Sequence, residues 1–353
     1  MQGLVSFLYP MGNCLNPSTG GQIYDGYLYR YLKKSSRVIV NYMSNEELSV
    51  SSSQGLYWAL IRNIFSINKS SVVIFNSALF IYYIPYLVCS RLFFRKVKVF
   101  SIHHHYRYKE FNGIGKVVRF IFENICLMLC NGIISPNPYT IDQIRRFIKY
   151  PNIIYLRMSF DKTPRVISSY SSGRFLYVGS VYSRKGIHLL IEAIGKMSQI
   201  EKRKIYVDIV GSLSDTKYVA YIKRRIDELA ISENVNLIGR VSNERLKQYY
   251  SMAYAFVLPS LLEGYGMVIA EAMSYGLPVI AFKNSAIPYI VKHEYNGVLA
   301  ENENVDSLKD SILYIKDKVL EHRRMGLNAI KTFEGLPSLL DLDKDIEHFL
   351  DEL

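Results

Sequence analysis

The sequence predicts two α/β domains, each built around a parallel β-sheet with helices on both faces. Short apolar segments with the composition of buried strands alternate with segments of helical spacing along the chain. The chain has 353 residues, which is long enough for two domains with separate cores. A polar stretch near its middle has the composition of a linker. We therefore expect a first domain at 1–160, a linker at 161–172, a second domain at 173–335 and a C-terminal helix at 336–353.

The first domain begins with an apolar segment that is typical of a core strand. No basic residues precede this segment, so it does not resemble a signal peptide. A polar loop and a helix over Ile23–Lys33 follow it. Gly20 and Gly21, just before this helix, can bring backbone amides close to a diphosphate, although ordinary turn chemistry also explains such a pair. Strands are predicted at Leu4–Tyr9, Arg37–Tyr42, Ser71–Phe75, Lys96–Ile102, Gly132–Pro136 and Ile153–Leu156.

Three successive histidines, His103, His104 and His105, follow the fourth of these strands. Ligands of open α/β sheets bind beyond the carboxyl ends of the strands, which is where these side chains are expected to lie. Neighbouring side chains on an extended segment point in alternating directions, so a metal site here would need other ligands. A structural or acceptor-binding role for the cluster is as well supported as a catalytic one.

Charge is concentrated in the first domain. Residues 1–165 hold 20 lysines and arginines against 7 aspartates and glutamates, a charge of +13, and the remainder carries −1. A basic surface fits nucleic acid, an anionic membrane or a phosphate-bearing acceptor. The sequence contains no zinc-finger, RNA-recognition or helix-turn-helix signature, which disfavours nucleic acid as the partner.

Two segments of the first domain, Ala78–Phe100 and Gly115–Leu129, combine aliphatic, aromatic and basic residues. One interpretation is a pair of core helices with basic ends. The other is an amphipathic surface that rests on anionic lipid, with lysine and arginine at the level of the headgroups. No apolar run is long enough to predict a membrane span. We expect a cytoplasmic protein, with association at the inner face of the membrane left open.

Four cysteines, at positions 14, 89, 126 and 130, have neither the spacing of a metal site nor that of a disulfide framework. Cys126 and Cys130 lie one helical turn apart in an apolar segment, which indicates buried free thiols.

The second domain repeats the alternation of strands and helices. Its predicted strands are Arg174–Val178, Ile205–Val210, Val235–Ile238, a segment ending at Leu258, and Pro278–Phe282; its predicted helices are His188–Met197, Tyr218–Ala230, Ser242–Tyr250, Tyr265–Tyr275 and Val305–Lys318. A loop from Gly179 to Gly186 joins the first strand to the first helix. Lys185, near the end of this loop, is placed to neutralise a leaving diphosphate.

The stretch Leu258–Phe282 carries the strongest chemical signal. Gly264 and Gly266 leave backbone amides uncovered where a helix begins, which favours an anion such as phosphate. Glu263 lies in the loop before the helix and Glu271 near its first turn. A carboxylate accepts two hydrogen bonds and so suits neighbouring sugar hydroxyls, although two glutamates at this spacing are also common as solvated charges. Backbone amides that can donate hydrogen bonds to phosphate, beside carboxylates that can accept them from sugar hydroxyls, indicate a nucleotide sugar.

The string PSLLEGYGMVIAEAMSYGLPVIA, residues 259–281, resembles the signature of the retaining glycosyltransferases of family four, which have the GT-B fold. The resemblance covers most of the second half of the chain and, more weakly, the first half. It implies two Rossmann-like domains facing each other across a cleft, and a last helix that often packs back across the first domain. The implied reaction transfers a sugar with retention of configuration, and no metal or other cofactor is implied.

The resemblance also assigns residues. Glu271 is expected to hold the ribose hydroxyls, Glu263 the donor sugar, and His103 to face that sugar. The predicted catalytic residues are therefore His103, Glu263 and Lys185. The predicted donor-binding residues are Gly20, Gly21, Arg184, Lys185, Arg240, Glu263, Gly264, Tyr265, Gly266, Met267 and Glu271.

Two positions depart from the family pattern. Many members place an arginine where this chain has Ser180, and Arg184 is the nearest cation that can compensate. The usual glycine pair and glutamate after the last strand of the motif are replaced here by Ser285–Tyr289. These departures bear on the choice of donor.

The sequence thus predicts a retaining hexosyltransferase that uses a nucleotide sugar. The basic, aromatic first domain favours a lipid-linked or phosphate-bearing glycan acceptor, as in the synthesis of O-antigen, capsule or a similar surface polysaccharide. A soluble acceptor remains open. One alternative is a non-catalytic GT-B protein that binds a nucleotide sugar or serves as a scaffold, and another is a nucleotide-sugar epimerase on the same fold.

Overall fold

The computed structural model describes residues 3–8, 20–43, 53–149, 151–163, 165 and 172–353. The chain divides into two compact units. The first comprises Met1–Asp161 together with Pro337–Leu353, and the second comprises Lys162–Leu336.

The first unit is built on a six-stranded parallel sheet. Its strand order is β2-β1-β3-β4-β5-β6. The strands are β1 (Gly3–Leu8), β2 (Val38–Met43), β3 (Val72–Asn76), β4 (Lys98–Ile102), β5 (Gly132–Ser135) and β6 (Ile153–Tyr155). The helices that accompany them are α1 (Gly20–Lys34), α2 (Ser53–Arg62), α3 (Ile64–Ile67), α4 (Phe80–Phe93), α5 (Gly113–Leu129) and α6 (Pro138–Phe147).

The second unit contains another six-stranded parallel sheet, in the order β12-β11-β10-β7-β8-β9. Its strands are β7 (Arg174–Val178), β8 (Tyr206–Val210), β9 (Val235–Gly239), β10 (Ala255–Leu258), β11 (Val279–Phe282) and β12 (Gly297–Ala300). Its helices are α7 (Ile187–Gly195), α8 (Gln199–Lys202), α9 (Thr216–Glu228), α10 (Asn243–Met252), α11 (Met267–Ser274), α12 (Ile287–Ile290), α13 (Val305–Asp317) and α14 (Val319–Gly335).

The inner strands of both sheets are buried along most of their length. Every residue of β5, β10 and β11 is buried. Continuous burial is the reason that these strands are uninterrupted apolar runs, because helices cover both faces of a parallel sheet. The loops at the carboxyl ends of the strands are left free to carry polar chemistry.

Two elements of the second unit are missing from the sequence expectation, β12 and α14. Residues 294–296 form a turn, and Gly297 then opens β12, where a Cβ would lie 2.1 Å from the carbonyl oxygen of Val279. The glycine allows close strand pairing directly after the turn. Helix α14 was not predicted, and it packs against α11 through Gly326, where a Cβ would lie 2.7 Å from the oxygen of Gly276.

The C-terminal helix α15 (Leu339–Asp351) is part of the first unit. Arg157 donates two hydrogen bonds of 2.8 Å to the carboxylate of Asp345. Phe349 packs edge-on against Phe100 of β4 at 5.2 Å between ring centroids. The segment 337–353 contributes six acidic residues and one lysine, so it offsets part of the positive charge of the first unit.

Among the described residues, no helix combines the length and apolar character that crossing a membrane requires.

Candidate functional site

The predicted donor loops of the second unit lie side by side. The loop 179–186 follows β7 and the loop 259–266 follows β10, and these two strands are paired in the sheet. Because the pairing is parallel, both loops leave the sheet at its carboxyl edge, where ligands of such sheets bind. The tertiary structure thus joins two segments that are about 80 residues apart in sequence.

Gly186 fixes the distance between the loops. Its φ is +66°, and a Cβ at this position would lie 1.9 Å from the carbonyl oxygen of Pro259. The amide of Leu261 also donates to the carbonyl of Arg184 at 2.9 Å. Only glycine adopts this conformation without strain and leaves room for the opposing backbone. The two loops therefore form one backbone unit.

Lys185 and Glu263 meet across this loop contact. The Lys185 ammonium donates to Oε2 of Glu263 at 2.6 Å, and the two side chains are 14% and 13% exposed. Partial burial strengthens such a charged hydrogen bond relative to one in water. The pair presents a fixed cation beside a fixed carboxylate.

Arg184 serves the same loop contact. Its guanidinium donates to the carbonyl of Leu262 at 2.6 Å and to the hydroxyl of Tyr182 at 2.8 Å. The structure therefore places Arg184 where it holds the loops together. A role toward a ligand stays a prediction for this residue.

The segment Gly264–Met267 leads directly into α11. Gly266 has a φ of +83° and precedes the helix without a side-chain capping hydrogen bond. Uncapped amides in the first helical turn, together with the helix dipole, favour an anion at this end. Tyr265 lies between the two glycines of this turn.

Glu271 is the fifth residue of α11, which begins at Met267, so it lies directly after the first helical turn, close to its predicted position. The hydroxyl of Tyr250 donates to its carboxylate at 2.9 Å. Burial raises the pKa of Glu271, while the Tyr250 hydrogen bond and the positive charge of Arg165 act in the opposite direction. Tyr250 in turn stacks on Tyr275 at 5.2 Å. The carboxylate is thus held in a fixed, largely desolvated position.

Arg240 is exposed and follows Gly239 at the end of β9, two strands away from β7. No hydrogen bond or ion pair joins it to the two loops among the residues that the structure describes. Arg240 is therefore not in contact with the loops that contain Lys185 and Glu263.

The predicted residues of the first unit lie at the carboxyl edge of its own sheet. Gly20 and Gly21 are the first residues of α1, and His103 follows β4. The His103 side chain is buried, its Nδ1 lies 2.9 Å from the hydroxyl of Ser77, and its ring packs against Phe80 and Tyr106. Burial, and then the neighbouring histidines, lower the pKa of His103. Its environment is that of a neutral core imidazole.

Sequence reasoning missed several polar partners at these edges, namely Asp25, Arg165 and Tyr250. The partner of each is distant in sequence, namely His104 for Asp25 and Glu271 for Arg165 and Tyr250. No local motif identifies these pairs. Only Asp25 had a usable signal, since a carboxylate on the inner face of an amphipathic helix needs a buried partner.

The described part of the chain contains no cluster of three or more histidine, cysteine, aspartate or glutamate side chains that could hold a metal ion.

Residues 167–332 match the family described as glycosyl transferases group 1. O-antigen chain mannosyltransferase B from Escherichia coli is 29% identical over 196 residues, which cover 51% of this chain and 50% of that protein. The chain spans between 33% and 58% of the length of the first curated relatives that it matches.

Solved structures match both units. Sucrose-phosphate synthase from Thermosynechococcus elongatus superimposes with a TM-score of 0.83 at 17% identity and covers 99% of each chain. HepE from Anabaena, solved in complex with UDP-glucose, gives a TM-score of 0.76 at 16% identity over 100% of both chains. These matches confirm the predicted α/β GT-B fold.

Proposed function

We propose, from the match of residues 167–332 to the family described as glycosyl transferases group 1, that the protein transfers a sugar from a nucleotide-sugar donor to a glycan acceptor with retention of configuration. The observation that carries the proposal is the Lys185–Glu263 pair, held at 2.6 Å by two interlocked loops beside the start of α11. This arrangement offers a cation, a carboxylate and helix amides within one edge of a sheet.

Each part of a nucleotide sugar has a matching group. The amides at the start of α11 and the Lys185 ammonium suit the diphosphate, because both supply positive charge in a partly desolvated place. The Glu271 carboxylate suits the paired ribose hydroxyls, and Glu263 suits hydroxyls of the sugar, since a carboxylate accepts from two donors. Arg184 is a further candidate to face the diphosphate.

In the proposed reaction, the bond between the anomeric carbon and the diphosphate oxygen breaks, and its electron pair stays on the diphosphate. The acceptor oxygen forms the new bond to the same carbon and loses its proton. Negative charge grows on the leaving diphosphate, and Lys185 is the group best placed to stabilise it. In this proposal the protein side chains and amides carry that role without a metal.

We propose that the acceptor is a growing surface glycan, lipid-linked or phosphate-bearing, bound by the first unit. The similarity to an O-antigen chain mannosyltransferase supports this class of acceptor. The excess of lysine and arginine in residues 1–165 supports a negatively charged group on it.

A helix face of the first unit supports contact with the inner leaflet of the cell membrane, where such acceptors are elongated. On α5, Ile114 is 83% exposed, Val117 58% and Ile121 50%, and these residues follow the spacing of one helical face. The opposite face contains the buried residues Cys126 and Leu127. Lys116 is also exposed in the first half of α5, but it lies away from this stripe around the helix. An exposed apolar stripe on a basic domain fits an anionic lipid surface.

The direct test is a thermal-shift screen of the purified protein against UDP-, GDP- and dTDP-sugars, followed by a turnover assay with the donor that binds. We expect one donor to stabilise the wild-type protein, and we expect that stabilisation to be weakened by Lys185→Ala and Glu271→Gln but kept by Lys196→Ala. Lys196 is a matched control because it is half-exposed and pairs with Asp306 away from the loops.

Donor binding without turnover, in the presence of lipid-linked and soluble acceptors, would favour the non-catalytic alternative. Conversion of the donor sugar in the absence of any acceptor would favour an epimerase. No stabilisation by any donor would contradict the proposal itself.

A further inference from the structure

Helices α2 and α3 of the first unit expose two large aromatic side chains on one face. The amide of Asn63 donates to the carbonyl of Ala59 at 3.0 Å, and the amide of Ile67 donates to the carbonyl of Asn63 at 2.9 Å, so helical hydrogen bonding continues across the junction. Trp58 and Phe65 are therefore two turns apart on one helical face, and they are 69% and 74% exposed. The inner face is occupied by core residues, namely Leu60, Ile64 and Ile67.

The C-terminal end of α4 adds to this exposed surface. Leu92 and Phe93 are 58% and 75% exposed. The next residue, Phe94, packs edge-on against Phe65 at 5.6 Å between ring centroids, and this contact joins the end of α4 to α3. We call the four exposed side chains, Trp58, Phe65, Leu92 and Phe93, the aromatic patch.

The aromatic patch is separate from the apolar stripe that begins at the start of α5. Arg91 donates to the carbonyl of Leu129 at 2.8 Å and to the carbonyl of Cys130 at 3.2 Å, so the C-terminal ends of α4 and α5 lie together. Ile114 lies in the first turn of α5 and Leu129 is its last residue, so about 22 Å of helix separates them. The first unit thus exposes apolar side chains toward both ends of this pair of helices.

The charged residues around the aromatic patch are basic. Residues 48–109 contain eight lysines and arginines and no aspartate or glutamate. Aromatic side chains surrounded by cations suit the headgroup level of an anionic bilayer, where the rings reach the acyl boundary and the cations meet lipid phosphates. Four of the eight are exposed and lie within four residues of a patch member, namely Arg62, Lys69, Arg95 and Lys96.

This charge disfavours a second copy of the chain as the occupant of the patch. In a two-fold symmetric dimer each surface meets its own copy, so the lysines and arginines around the patch would face identical cations. Like charges across an interface oppose association. A bilayer with anionic headgroups supplies both the opposite charge and a broad apolar phase.

We propose that the aromatic patch inserts into the headgroup region of an anionic bilayer. The basic residues around it pair with lipid phosphates, and the rings of Trp58, Phe65 and Phe93 reach the boundary with the acyl chains. This inference adds a second attachment point to the membrane contact proposed for α5. It requires neither a bound donor nor sugar transfer, so it stands independently of the proposed reaction.

The fluorescence of Trp58 tests this directly, because it is the single tryptophan of the chain. We expect vesicles of phosphatidylglycerol to shift its emission to shorter wavelengths. The same lipid brominated on its acyl chains should quench the emission, because bromine quenches a ring that lies next to it. Vesicles of phosphatidylcholine should cause a much smaller shift, since they lack the negative charge.

A double variant tests the contribution of the rings. Phe65→Ser with Phe93→Ser should weaken the affinity for phosphatidylglycerol vesicles at least about tenfold, because two rings no longer leave water on binding. Leu320→Ser with Leu327→Ser, at exposed positions of α14 in the second unit, is the matched control and should bind like the wild type. All four side chains are exposed, so both variants should melt close to the wild-type temperature.

A second pair of variants tests the contribution of charge. Lys69→Gln with Lys96→Gln should weaken vesicle binding by about tenfold and reduce its dependence on salt, because each cation near an anionic surface adds to the attraction. Lys217→Gln with Lys223→Gln removes the same charge from exposed positions of α9 in the second unit and should leave the affinity unchanged.

Vesicle binding without a change in Trp58 emission would overturn the inference and leave α5 as the attachment. Absence of binding to phosphatidylglycerol, or equal affinity of the wild type and the Phe65→Ser, Phe93→Ser variant, would overturn it as well. Dimerisation without lipid that is lost in this variant would assign the patch to a second copy, and a preference for a single-stranded oligonucleotide over vesicles would assign it to nucleic acid. Thermal stabilisation by a donor tests the proposed reaction separately, so the failure of either is recognised by itself.

Discussion

The ammonium of Lys185 and the carboxylate of Glu263 are 2.6 Å apart, although 77 residues separate them in the chain. Parallel pairing of β7 with β10 brings their loops together, and the contact between Gly186 and Pro259 sets the distance. An oriented cation costs no reorganisation when charge develops on a leaving group. This relationship is the basis of the first prediction.

In the proposed reaction Lys185 stabilises the charge that develops on the leaving diphosphate, so Lys185→Ala should lower kcat for sugar transfer by about 10²- to 10³-fold. Steady-state kinetics with a saturating donor measure this loss. Lys185→Arg keeps the charge but not the compact ammonium, so we expect an intermediate rate. Lys196→Ala should be unaffected, and a rate for Lys185→Ala within twofold of the wild type would contradict the assignment.

Glu271 predicts an unusual dependence of stability on pH. Burial raises its pKa in the folded state, so the folded protein binds more protons than the unfolded chain between the ordinary glutamate pKa of about 4.3 and the raised value. The contribution of this group to stability therefore falls as the pH rises through that window. Above it, the buried charge destabilises the fold.

Glu271→Gln should consequently melt a few degrees higher than the wild type at pH 8, with the difference shrinking as the pH is lowered toward 4. Scanning fluorimetry across this range measures both curves. Glu334→Gln, at an exposed position of α14, should follow the wild-type curve at every pH. The opposite result would be a melting-temperature difference, variant minus wild type, that is smaller at pH 8 than at pH 5. It would show that the hydrogen bond from Tyr250 affects the pKa of Glu271 more than burial does.

Gly186→Ala should destabilise the second unit by at least about 2 kcal/mol. A left-handed conformation at a non-glycine residue costs about 1–3 kcal/mol, and the clash with the carbonyl of Pro259 adds to it. Gly335→Ala is the control, because no atom lies within 4 Å of its built Cβ, and its effect should stay within about 0.5 kcal/mol. Urea unfolding measures the free energy of unfolding of both variants. Equal values for the two would mean that the loops can separate at little cost.

The exposed face of α5 predicts binding to anionic vesicles. The wild-type protein should sediment with phosphatidylglycerol vesicles and much less with phosphatidylcholine vesicles. Replacing Ile114, Val117 and Ile121 together by serine should weaken this binding at least about tenfold, since each buried aliphatic side chain contributes roughly 1.5–3 kcal/mol. Leu320→Ser with Leu327→Ser, on the exposed face of α14, is the matched control. Equal binding by the triple variant would exclude α5 as the contact.

Most of the proposed donor region is visible in the sequence because its candidate residues are close together in the chain. Glu263, the glycines and Glu271 lie within one short stretch, and their spacing along a loop and helix is visible before folding. The position of Arg184 was harder, since its bonds to Leu262 and Tyr182 depend on how two loops pack. The sequence therefore indicated a cation at this loop but not that its guanidinium bridges the loops.

The histidine cluster shows the opposite case. The sequence located three adjacent candidates after β4 but contained nothing to separate them. Their surroundings differ because His103 turns into the core toward Ser77, while His104 meets Asp25 from α1. The place of Asp25 on the inner face of α1 signals that it needs a buried partner, but no local pattern shows that this partner is His104, 79 positions away.

The sequence by itself determined most of the strands and helices, the GT-B class and the segment that we propose to bind the donor. These features follow from hydrophobic periodicity and from residues close together in the chain. Only the tertiary structure decided which polar groups become partners, where charge is buried and which helix face is left exposed. Those properties depend on the packing of distant segments, because desolvation and hydrogen bonding are set by neighbours in space and not by neighbours in sequence.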